Sequence, residues 1–135
     1  MSPPKLLQTV LDTTDVRGLA DFYRELLGYA YRPGHETPKA DEDWLVLRDV
    51  DGNNRLAFQK VDELTPSTWP KDDVPQQLHL DLLTKSVEEL NEAHELVMSL
   101  GARVLYERMD DPQEPLRVYA DPAGHPFCIF TWLGD

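Results

Sequence analysis

A single cysteine, Cys128, stands among 135 residues. Its solitude excludes an internal disulfide and any multi-cysteine metal cage, and it suits a reducing cytoplasm. Basic residues are scarce: 13 Lys and Arg against 25 Asp and Glu leave a formal charge of −12. That balance excludes nucleic acid as a partner, since phosphates need a basic footprint. The acidity keeps the chain soluble and would steer a cationic ligand. Long apolar runs are missing too. None approaches the ~20 residues of a membrane span, and residues 1–8 lack the apolar core of a signal peptide. What remains is an ordinary globular composition, 41% apolar and 28% charged, in one compact unit long enough for a core.

What is present is a repeat. Leu6–Asp12 reads as an apolar strand, followed by a helix over Asp15–Leu27 that Gly28 stops. Gln77–Leu83 reads as a second such strand, followed by a helix over Ser86–Leu100 that Gly101 stops. The first helix buries a stripe of Val16, Leu19, Phe22, Tyr23, Leu26 and Leu27; the second opens on a capping box, Ser86-Val87-Glu88-Glu89. Gly18, within the first turns of the first helix, has no explanation at this level. Three strand-like runs follow each helix. Two copies of β-α-β-β-β, roughly 70 residues apart, predict an α+β fold whose mixed sheets curl into a cup with the helices outside and a ligand cleft between the modules. The first module spans about 5–61, a Pro- and Asp-rich connector 62–75, and the second module about 76–133, together one domain.

Trp44–Val50 and Arg55–Val61 flank Asp51-Gly52-Asn53-Asn54, which predicts a hairpin with a four-residue loop and Val46 opposite Gln59. Leu45, Leu47, Leu56 and Phe58 then share the helix-covered face. Trp44, Arg48 and Gln59 fall on the other, mixed face. Arg103–Met109, Leu116–Ala120 and Phe127–Trp132 repeat the arrangement, with Asp121-Pro122-Ala123-Gly124-His125 as the second turn. Arg117 and Tyr119 are read as projecting from the mixed face as well. In Gln77–Leu83 the leucines 78, 80 and 82 form one face, so His79 and Asp81 share the opposite one. By the repeat, Gln8 matches His79 and Gln59 matches Cys128. Gln8, Gln59, His79 and Cys128 form a candidate inward constellation. His79 is read as a functional ligand or as a sheet histidine held by Asp81, and Cys128 as a small buried hydrophobe or a thiol. His35, His94 and His125 read as solvent-facing, Trp69 and Trp132 as interface residues, and the charged loop Pro33–Asp43 as a cover over the cleft mouth.

The elements Asp21-Phe22-Tyr23…Leu27-Gly28, Leu78-His79-Leu80 and Tyr119-Ala120-Asp121-Pro122-Ala123-Gly124-His125 resemble the vicinal oxygen chelate superfamily of glyoxalases, bleomycin-resistance proteins and extradiol dioxygenases, and its short glyoxalase-like domain members in particular. The resemblance covers nearly the whole chain and implies a homodimer. It also implies a divalent ion (Zn, Ni, Mn or Fe) at Gln8, Gln59, His79 and Cys128. Gln59 replaces an expected Glu there, and Cys128 replaces a carboxylate that both ligates and moves a proton. A softer ion such as Zn²⁺ suits His79 and a Cys128 thiolate better than a hard one. Three functions follow: a protein that binds or sequesters a small molecule, as in drug resistance; a metal-dependent glyoxalase-like lyase or dioxygenase; or a ligand-sensing module. Trp44, Arg48, Gln59, His79, Asp81, Arg117, Tyr119 and Cys128 are the candidate ligand contacts.

Overall fold

A computed structural model describes residues 2–134. The chain divides into two compact units, Met1–Leu64 and Thr65–Asp135, so most of the expected connector belongs to the second. The first unit holds β1 (Thr9–Thr13), α1 (Val16–Leu27), β2 (Ala30–Tyr31), β3 (Trp44–Arg48) and β4 (Asn54–Lys60). The second holds β5 (Leu80–Thr84), α2 (Val87–Ser99), β6 (Arg103–Arg108), β7 (Leu116–Ala120) and β8 (Pro126–Thr131). Each has a four-stranded mixed sheet, ordered β1-β4-β3-β2 and β5-β8-β7-β6. In each, the first and last strands pair in parallel and the rest antiparallel. The α+β reading and its two β-α-β-β-β modules therefore stand. No helix among the described residues is long and apolar enough to cross a membrane.

Local chemistry sets the helix ends. The Asp15 carboxylate caps α1 by accepting from Gly18 N at 3.0 Å. This contact explains Gly18: a Cβ there would collide with the capping Asp15 carboxylate. Ser86 caps α2 through Glu89 N at 3.1 Å, while the Glu89 carboxylate turns back to Lys85 N at 2.9 Å, a one-residue variant of the expected box.

Both hairpin turns are built identically. Asp49 Oδ1 accepts from the amides of residues 51 and 53, and Asp121 Oδ1 from those of 123 and 125. Gly52 (φ 81) and Gly124 (φ 95) occupy the left-handed position three residues after each Asp, where a side chain would be strained. The first turn thus begins at Asp49, two residues earlier than its sequence pattern suggests. As a result Val46 faces Ala57 and Trp44 faces Gln59, and Arg55 is the extra residue of a bulge. The expected register is wrong by two. The faces survive, because side chains alternate with period two.

In the first unit Leu11, Leu45, Leu47, Leu56 and Phe58 pack against α1, with the Tyr23 and Phe58 rings stacked 6.1 Å apart. The 32–43 loop does not hang free. Arg17 of α1 grips Glu42 through two bonds of 2.9 and 2.7 Å, donates to His35 O, and lies 4.6 Å over the Tyr31 ring. His35 Nδ1 in turn accepts from Val46 N at 3.1 Å, so the ring is half-buried rather than solvent-facing. In the second unit Leu90 and Val97 of α2 cover Phe127 and Ile129.

Candidate functional site

The pairing of β8 decides which side chains of the second unit face away from α2. Asp81 lies opposite Cys128, and Cys128 opposite Val118. His79, two residues before Asp81 and just ahead of β5, belongs to the same side. The ligand atoms of His79, Asp81 and Cys128 all lie within 4.8 Å of one another. No other group of three such residues converges among the described residues.

Each member is held in a distinct way. His79 Nε2 lies 3.2 Å from Asp81 Oδ1 and its Nδ1 lies 2.9 Å from Gln76 Oε1. Both oxygens are acceptors, and a neutral imidazole has one N–H. A metal ion on Nε2, with the N–H on Nδ1, would satisfy both contacts. The Trp69 indole stacks on the imidazole, centroids 5.6 Å apart and planes 12° from parallel. Cys128 is buried; burial, and after it the Asp81 carboxylate, push its thiol up to about 12. At neutral pH it is a thiol and not a free nucleophile. Asp81 is exposed at 59% and keeps one carboxylate edge toward solvent. Thr84 and Thr131, 2.6 Å apart, lock the far ends of β5 and β8, with Thr131 also donating to Ser86 O.

A metal ion fits these donors. Imidazole, carboxylate and thiolate suit Zn²⁺ or Co²⁺, and three protein ligands leave a position open. Tetrahedral donors around zinc lie roughly 3.5 Å apart, so the three must close by about 1 Å, a side-chain adjustment.

The other expected residues scatter. Arg117 and Tyr119 lie on the helix side, a correction to their expected place. β7 pairs Arg117 with Ile129 and Tyr119 with Phe127, which puts both on the face that α2 covers. Arg117 Nη1 donates to Asn91 Oδ1 at 3.0 Å. Tyr119 is fully buried, stacks 5.2 Å from Phe127 and shares a 2.8 Å hydrogen bond with His94. His94 is therefore no free surface histidine, and burial pushes the Tyr119 hydroxyl up to about 12.

In the first unit Gln59 bonds to Asp12 at 3.3 Å, beside Trp44. Gln8 accepts from Asn54, whose Oδ1 receives Arg48 Nε at 2.8 Å. The parallel pairing matches Val10–Ala57 to Asp81–Cys128, each 71 positions later (10 to 81, 57 to 128). Gln8 is then the counterpart of His79, as expected. Ala57, not Gln59, is the counterpart of Cys128, because the two parallel pairs correspond at a constant offset of 71 residues. Gln59 sits four residues along from Gln8's level, ~13 Å at ~3.3 Å per residue, so these two glutamines do not share one ion. A separate cavity of about 170 Å³ at the start of α1, lined by Asp15, Arg17, Lys39, Asp41, Glu42 and Lys60, contains none of the expected residues.

The sequence and this fold agree with known proteins. The glyoxalase-like domain family matches residues 8–130. The chain belongs to that family, within the vicinal oxygen chelate superfamily. Among solved structures it is similar to a glyoxalase/bleomycin resistance protein/dioxygenase family enzyme from Burkholderia phytofirmans, at 14% identity and a TM-score of 0.70 over 94% of this chain and 98% of that one. A glyoxalase/dioxygenase from Nostoc punctiforme gives 18%, 0.69, 95% and 90%. A variant of the fosfomycin resistance protein FosX from Listeria monocytogenes, complexed with Mn(II) and dihydroxypropylphosphonic acid, gives 16%, 0.68, 99% and 93%. At these identities the likeness is one of fold. No curated protein sequence matches the chain.

Two residues of this site escaped sequence reasoning. Trp69 lies in the aperiodic connector and Gln76 just after it, and only the folded chain brings them against His79.

Proposed function

We propose that this glyoxalase-like protein binds a small oxygen-bearing organic molecule at the exposed side of β5 and β8 in the second unit, in a binding or sequestering role. The convergence of His79, Asp81 and Cys128 carries this reading. These three residues would hold a divalent ion of the softer kind, Zn²⁺ first among Zn, Ni, Mn and Fe. When bound, such an ion offers an open position to a ligand oxygen. The carboxylate that the sequence lacks at Cys128 is supplied from the neighbouring strand by Asp81. The Mn(II) complex of the FosX variant lends support from the same fold.

A glyoxalase-like lyase or dioxygenase is the second reading, and one observation favours it. Asp81, one of the three donors, is exposed, and its second carboxylate oxygen can accept a proton from a bound substrate.

Metal analysis of untagged protein tests the proposal. Wild type should retain near one equivalent of Zn²⁺ or Co²⁺ after dialysis, whereas His79→Ala and Cys128→Ala should retain none. Absence of binding in wild type for every ion offered would overturn the chelate reading.

A further inference from the structure

Of the residues that surround His79, Trp69 comes from the stretch expected to be a mere connector, and Gln76 follows directly after it. Residues 67–74 close on themselves: Thr68 N donates to Val74 O at 2.8 Å, Val74 N to Thr68 Oγ1 at 2.8 Å, and Ser67 Oγ to Val74 O at 3.0 Å. Trp69 N is held by Ser67 Oγ at 3.1 Å. One residue before this closed loop, Pro66 lies against Gly124, where a Cβ would come within 2.5 Å of Pro66 Cβ. The loop is thus fastened to the β7–β8 turn, and it delivers the Trp69 indole flat onto the His79 ring. Two residues past the loop, Gln76 presents its Oε1 to His79 Nδ1 at 2.9 Å.

These contacts do different jobs. The Gln76 carboxamide occupies Nδ1 and leaves Nε2 facing Asp81 and Cys128; with an ion on Nε2, the proton sits on Nδ1 and the Gln76 oxygen accepts it. The indole fixes the plane of the ring, so Nε2 cannot swing away from them. A ligating imidazole is commonly oriented through its second nitrogen in this way.

We infer that Gln76 and Trp69 are positioning residues for His79, acting together to aim Nε2 at the ion shared with Asp81 and Cys128. This rests on the proposed reading of His79 as a ligand. The connector then builds the site instead of merely joining two modules.

Cobalt titration of the full chain, followed by absorbance, separates the roles. Wild type should show a thiolate-to-cobalt charge-transfer band from Cys128, and His79→Ala should lose binding. Gln76→Leu and Trp69→Leu should keep the band but weaken Co²⁺ binding about 10- to 100-fold. Gln76→Glu, which still accepts from Nδ1, and Trp69→Phe, which still stacks, should restore most of it. Metal-free ¹⁵N NMR of the His79 ring gives an independent readout. It should report a hydrogen-bonded Nδ1 in wild type and loss of that bond in Gln76→Leu. Leucine variants that bind Co²⁺ as tightly as wild type would overturn the inference and leave the metal reading intact. Should wild type bind no Co²⁺, the metal reading fails and this inference fails with it.

Discussion

The two units share a strand order, a parallel closing pair and an Asp-x-x-Gly turn, yet among the described residues only the second brings three potential metal donors together. Where the second places His79, Asp81 and Cys128, the first places Gln8, Val10 and Ala57. The first spends its polar groups on itself. Its bidentate Arg17–Glu42 pair fastens a long loop to α1, the His35–Val46 bond fastens the same loop to β3, and the Tyr31–Asp21 bond ties β2 to α1. The turns differ in the same sense. Gly52 faces open space, while Gly124 is pressed against Pro66 and thereby anchors the loop that carries Trp69. One scaffold has therefore been used once for fastening and once for presenting donors.

The largest effect should come from the donors themselves. His79→Ala should lower Zn²⁺ or Co²⁺ affinity by more than about 100-fold, whereas Gln8→Ala, at the matching place in the first unit, should leave it within twofold; isothermal titration reads both. Equal losses would break the comparison.

The turns sharpen it. Gly52→Ala pays only for its left-handed backbone, about 1 kcal/mol. Gly124→Ala pays this and the clash with Pro66, about 3 kcal/mol in all. Urea denaturation should order the two, and Gly124→Ala should also weaken cobalt binding by loosening the Trp69 loop.

In the first unit, removing Arg17 leaves Glu42 without its partner. With both side chains under a fifth exposed, Arg17→Ala should cost about 2 kcal/mol by chemical denaturation, with metal affinity unchanged.

The smallest effect concerns acid. Burial, aided by nearby cations, lowers the His35 pKa, and Nδ1 must stay unprotonated to accept from Val46 N. Stability from this group is complete above the unfolded-state pKa of about 6.5 and is lost as pH falls through the lower folded-state value. Denaturation midpoints between pH 7.5 and 5 should therefore fall more for wild type than for His35→Gln.

Much of this was legible in the chain because the signals are local. Asp15 and Ser86 are caps, Gly52 and Gly124 mark turns, and the alternation of Leu78–Leu82 put His79 and Asp81 together. Errors arose where pairing, not pattern, decides. An aspartate accepting two amides moved the first turn back to Asp49, and the parallel strand pairing makes Ala57 the counterpart of Cys128. Tyr119 reads as a ligand contact when its strand is given the wrong face, yet β8 places it beside Phe127 under α2. Trp69 and Gln76 carry no periodic signal, since a stacked ring and one side-chain hydrogen bond exist only after the chain has folded.

The central claim is that this protein's chemistry sits at His79, Asp81 and Cys128 of the second unit. Anomalous diffraction at the zinc or cobalt edge, from crystals equilibrated with that ion, tests it most directly. The account predicts one strong peak about 2.0–2.3 Å from His79 Nε2, an Asp81 oxygen and Cys128 Sγ. A peak at Gln8 or Gln59 instead, or none at His79, would contradict it.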